Sequence, residues 1–170
     1  MAVLDDLLPS ATLHSAIPPF PHLLMLPTTG RLMAIDWGEL RIGLALSDET
    51  QTLASPLETL TRRRGKRFPI ARFLELVSQH QPVGIVVGLP LSPEGGETES
   101  SASARELAEL VARRTSLPVE LSDERLTTTR TLKLIREQRG STRGRKEEVD
   151  AMAASVLLQN CLDARRGGAT

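Results

Sequence analysis

"MAIDWGELRIGLALSDE", Met33 to Glu49, sets a carboxylate, Asp36, inside an apolar run and follows it with Gly38, Arg41 and Gly43. "RLMAIDWG" alternates as a strand does, with Leu32, Ala34 and Asp36 on one face and Met33, Ile35 and Trp37 on the other. "RIGLALSD" reads as a second strand, and "GELR" between them closes a hairpin in which Gly38 is placed to supply a positive backbone angle. An acid here is either a turn residue, capping the hairpin through its side chain, or a buried group kept for its chemistry. Its position alone does not choose.

The chain downstream places this hairpin in a larger sheet. "ASPLETLTR" is a third antiparallel strand that Pro56 confines to an edge or a bulge. Ile70, Phe73, Leu74 and Val77 then fall at i, i+3, i+4, i+7 and predict a helix over 67–80, ending before Pro82. "VGIVVGLPL" is continuously apolar, as a buried parallel strand is. A polar, Gly-rich loop leads to a second helix packed through Leu107, Leu110 and Val111. "LPVELSDERL" is a strand running out into polar residues, and "TTTRTLKLIREQ" a basic helix stopped by Gly140. "KEEVDAMAASVLLQNCLD" is a final helix with Val149, Met152, Ala153, Val156 and Leu157 as its stripe. The order β β β α β α β, then helices, predicts one α/β domain: a mixed five-stranded sheet with helices on both faces.

At 170 residues and 40% hydrophobic content, the chain can bury roughly two-thirds of its unfolded surface as a single domain. We expect 1–31 to be a disordered extension, 32–165 the domain and 166–170 a tail. The extension carries Asp5 and Asp6 where a signal peptide is basic, and Met25 and Met33 are alternative starts. Cys161 is the sole cysteine and no apolar run reaches about 18 residues, so we expect a cytoplasmic protein without disulfides or a membrane span.

The 21 basic and 21 acidic residues cancel, yet "RRRGKRFPIAR" (Arg62–Arg72) contains no acid, and Arg125–Lys146 contains the single acid Glu137. Within them the runs Arg62–Arg67 and Arg136–Lys146 are of a kind that ordinarily forms solvated faces; long and one-signed, they also suit nucleic-acid backbones. With no Tyr and one Trp there is no platform for stacking single-stranded bases. Recognition by backbone and shape fits structured RNA and branched DNA equally.

Three sets of acids lie where an α/β sheet gathers function: Asp36 on the first strand, Asp123 and Glu124 ending the last, and Asp150 early in the final helix. Each has an ordinary role: turn cap, solvated strand end, or partner of a helix dipole. If they converge they repel, and a divalent cation is the economical neutraliser. Oxygen ligands suit Mg²⁺ or Mn²⁺, and a pair of such ions activates water and stabilises the leaving oxygen of a phosphodiester.

Four stretches in order, "AIDWGELRIGLALSD", "IVVGLPLSPEGGE", "SDERLTT" and "EEVDAMAASVLLQ", resemble the signatures of the YqgF/RuvX family, described both as pre-16S rRNA nucleases and as Holliday junction resolvases. The resemblance covers about 32–163. It implies a ribonuclease H-like fold, a metal-dependent phosphodiester nuclease and an acidic triad, here Asp36, Glu124 and Asp150, with Glu124 preferred to Asp123. Beside that triad, Arg41 and Arg125 are placed to hold phosphate oxygens, and Thr127 and Thr128 to donate to them from a helix start. The extension departs from the family pattern. Symmetric cutting of a junction requires a homodimer. Two rivals remain: a non-catalytic ribosome-assembly factor that binds nucleic acid, and an actin-like ATPase, whose first phosphate hairpin looks similar but whose two domains exceed the length available.

Overall fold

A computed structural model describes residues 25–62, 67–123 and 145–167. Strands β1 (Leu32–Asp36), β2 (Arg41–Ser47), β3 (Ala54–Thr61), β4 (Gly84–Leu89) and β5 (Val119–Asp123) form a single sheet in the order β3-β2-β1-β4-β5. The first three are antiparallel, while β4 pairs parallel to β1 and β5 parallel to β4. The mixed five-stranded sheet is therefore present, with the acid-bearing strand at its centre.

Both faces of that centre are covered, which is why all five β1 residues are buried. Met33 and Ile35 join Ile42, Leu44 and Val87 in a core with Phe73 and Leu76 of α1 (Ile70–His80) and Leu107 and Val111 of α2 (Glu99–Thr115). Leu32 and Ala34 pack with Ala45 and Val86 against Leu157, Leu158 and Leu162 of α3 (Arg145–Gly167). The alternation along "LMAID" thus sorts side chains between two helical layers. β3 is an edge strand, and its register slips beside Pro56, where Leu44 faces Glu58 but Ala45 faces Pro56. Both devices that accommodate a strand proline are used at once.

Four details differ from the sequence reading. Helix α1 starts at Ile70 rather than 67, because Pro69 disfavours helical backbone at Phe68. Gly38 takes no positive φ; the described glycines that do are Gly30 and Gly95. Four residues, 37–40, connect β1 to β2, enough to turn without a left-handed residue. The folded unit reaches back to Leu26, 3% exposed and packed with Leu32 and Val86, although this stretch reads as extension. Arg165 Nη2 holds it, donating to the carbonyls of Leu26 and Pro27. On α3 the buried residues are Asp150, Ala151, Ala153, Ala154, Leu157, Leu158, Cys161 and Leu162, whereas Met152 is 52% exposed. The stripe is rotated by about one residue, roughly 100°, from the expected one. Aliphatic residues occur around most of this helix, so only packing identifies the buried side. The expected basic helix at 127–138 lies outside the described residues.

Candidate active site

Strands β1, β4 and β5 run parallel and end together at Asp36, Leu89 and Asp123. The carboxyl ends of parallel strands are where α/β sheets place their chemistry. Asp36 is 2% exposed, and alternation puts it on the α3 face with Leu32 and Ala34. Its cross-strand partner is Gly43 of β2.

Gly43 brings the second acid in. A Cβ there would fall 2.0 Å from the backbone carbonyl oxygen of Asp150 and 2.6 Å from its carbonyl carbon. The α3 backbone rests directly on β2 at this bare position, and Asp150, 0% exposed, is set against the residue that pairs with Asp36. The rotation of the stripe now makes sense, since Asp150 lies near the middle of the buried face instead of at its edge. All four carboxylate oxygens of Asp36 and Asp150 are buried. Arg41, two residues before Gly43 and so on the same face, places Nη1 3.8 Å from Asp150 Oδ2.

The third acid is narrowed from the other side. Val119 and Leu121 face the α1/α2 core, and Asp123 shares their side of β5. Glu120 reaches the opposite face, where Arg165 of α3 lies 3.8 Å away. By register Asp123 lies on the side of β5 opposite the α3 face that carries Asp36. Glu124, Arg125, Thr127 and Thr128 lie outside the described residues. Among the described residues, no group of three His, Cys, Asp or Glu is placed to hold a metal; the site they show is a carboxylate pair with one arginine.

Two neighbours carry roles that the sequence reading does not give them: Gly43 has none there, and Arg62 only its share in the basic run. Gly43 was visible as a glycine inside a strand pattern, a signal of close backbone approach, but not what approaches it. Arg62, first of the basic run, is a clamp: its guanidinium lies 4.2 Å over the Trp37 ring, Nε donates to the Glu39 carbonyl (2.8 Å) and the Arg62 backbone N–H to the Leu40 carbonyl (2.9 Å). It pins the start of the basic segment to the hairpin that carries Asp36. Trp37 also packs against Phe68, and Phe68 against Phe73. The rings of Trp37, Phe68 and Phe73 thus form one packed row. The "SPEGGE" loop leaves the same sheet end. It closes on itself through Ser92 N–H to the Gly96 carbonyl (3.0 Å) and is tied back by Thr98 Oγ1 to the Pro90 carbonyl (3.3 Å).

The architecture is shared with the solved Thermus thermophilus RuvC structure, at a TM-score of 0.50 and 16% identity, covering 81% of this chain and 96% of that one. The protein thus has a ribonuclease H-like fold. A family model described as "RuvX: Holliday junction resolvase" matches residues 30–164. The chain belongs to that family, and so to the nucleases, hydrolases of phosphodiester bonds. Relatives named "Putative pre-16S rRNA nuclease" include one from Anaeromyxobacter sp., 42% identical over 135 residues (79% of this chain, 98% of that protein), and one from Rhodopirellula baltica, 38% identical over 143 residues (82% and 80%).

Proposed function

We propose that the protein is a cytoplasmic, divalent-metal-dependent nuclease of structured nucleic acid, with the 5′ end of pre-16S rRNA as its substrate. The observation that carries this reading is the burial of Asp36 and Asp150 on one face, at the end of the parallel strands, in contact through Gly43. Buried like charges are costly and persist where a cation offsets them. The donors among the described residues are carboxylate oxygens, and a positive group, Arg41, already approaches Asp150. This set fits Mg²⁺ or Mn²⁺. Asp36 and Asp150, with Glu124 as the third, would hold the ion. When bound, it supplies activation of water and charge stabilisation at the departing oxygen.

The chain's own residues do the rest. β1 and α3 hold the two carboxylates rigid, Arg41 meets a phosphate oxygen from the rim, and Arg125, Thr127 and Thr128 add further phosphate contacts. Cleavage of four-way DNA junctions is the second reading, favoured by the description of the matching family model.

The test is cleavage by the purified full chain, with Mg²⁺ and with Mn²⁺, of structured RNA, linear duplex and a four-way junction. Metal-dependent cutting of the RNA, lost in Asp36→Asn, is the expected result. Paired symmetric cuts in the junction alone would select the second reading. Tight RNA binding without cleavage of any substrate would select the non-catalytic assembly factor.

A further inference from the structure

We infer that Arg41 is the resident counter-ion of the carboxylate site, that it competes with the divalent cation for Asp150, and that metal entry frees its guanidinium for a substrate phosphate. This rests on the metal site proposed above. At 3.8 Å the contact between Arg41 Nη1 and Asp150 Oδ2 is longer than a hydrogen bond, so it is held mainly by charge rather than by a bidentate fit. The two partners differ sharply in setting: the Arg41 side chain is 28% exposed and that of Asp150 1%. The arginine therefore meets a buried acid from the solvent side, where its guanidinium is already in reach of water. Its backbone stays in place, since Arg41 is paired with Thr61 across the sheet.

Charge decides the direction of the exchange. A divalent ion held by Asp150 and a guanidinium 3.8 Å from the same carboxylate repel each other, so the ion weakens the hold on Arg41 and leaves the arginine's charge to be matched by an incoming phosphate. A positive group that must yield weakens metal binding, and the linkage is reciprocal. An arginine that merely oriented Asp150 would do the opposite, because losing an orienting partner weakens a metal site.

The experiment measures Mn²⁺ binding to the full chain by titration calorimetry, for wild type, Arg41→Gln, Arg41→Lys and Asp36→Asn. It also records melting temperatures in EDTA and in Mn²⁺. Arg41→Gln should bind Mn²⁺ about tenfold more tightly than wild type, within the usual range of coupled sites. It should melt lower in EDTA, gain more from Mn²⁺, and bind structured RNA more weakly. Arg41→Lys keeps the charge and should bind Mn²⁺ much as wild type does. Equal or weaker Mn²⁺ binding by Arg41→Gln, with wild-type binding lost in Asp36→Asn, overturns the exchange and spares the metal site. Mn²⁺ binding that is absent in wild type, or undiminished in Asp36→Asn, overturns both.

Discussion

Asp36 shares its strand with four buried apolar residues, and an acid in that setting destabilises the fold unless something else requires it. Asp36→Asn should therefore act in opposite directions on two measurements. Metal-dependent cleavage should fall about 10³-fold, equivalent to several kcal/mol of lost charge stabilisation. The melting temperature in EDTA should hold or rise, because a carboxylate 2% exposed on an apolar strand is replaced by a neutral side chain of the same shape. A falling melting temperature would mark a structural carboxylate instead. Asp48 is an acid of the other kind, shaping the turn between β2 and β3. Its carboxylate accepts from the backbone N–H of Leu53 (2.9 Å), from the Thr50 hydroxyl and from the backbone N–H of Thr52 (2.7 Å), and these bonds hold its pKa down to about 2 from 3.8. A lowered folded pKa means that protonation favours the unfolded chain. The contribution of Asp48 is thus complete above 3.8 and is lost as pH falls toward 2. Acid unfolding curves should show a shallower loss of stability across that window in Asp48→Ala than in wild type.

Helix α3 and the β1–β2 hairpin meet at Gly43, and their separation sets the distance between the two acids. Gly43→Ala places a methyl group against the Asp150 backbone, which cannot yield without moving the helix. Overpacking of this sort costs about 1–3 kcal/mol. Because the displaced residue carries a site carboxylate, cleavage should fall further than that loss explains. Denaturant midpoints and kcat measured on the same preparation check this, and activity intact at reduced stability would count against the contact. The hairpin, the edge strand and both crossovers were legible in the sequence because each depends on local periodicity and on proline or glycine chemistry. The buried side of α3 was not, since Val149, Met152 and Val156 are as apolar as the residues that actually pack. Asp150 was recognisable as a candidate from its place in "EEVDAMAASVLLQ", but its seat in the middle of the buried face came only with the packed helix.

Across the whole molecule the charges sum to zero, so no general field drives association with nucleic acid. Binding must come from local cations placed near the carboxylates, of which Arg41 is described and Arg62 is committed to the hairpin clamp. Affinity for structured RNA should then fall steeply and linearly in log–log form as salt rises, with a slope set by the number of phosphates met. A binding constant indifferent to salt would contradict backbone recognition. Among the described residues, no helix is long and apolar enough to cross a membrane. Helix α3 ties the ends of the fold together: Gln159 Oε1 accepts from the Ala54 N–H (2.9 Å) beside the β2–β3 turn, and Arg165 reaches both Leu26 and Glu120. The element order, the mixed sheet with its acid-bearing central strand, the family and the candidate acids are legible in the chain alone. Those features are written in short-range patterns and in motifs that survive without their surroundings. That Gly43 is the seat of Asp150, that Arg41 answers Asp150 and that Arg62 serves the hairpin emerges from the packed molecule alone. Each of these depends on which surfaces lie within a few ångströms of each other once two layers of helices close on the sheet, and no local pattern encodes that distance.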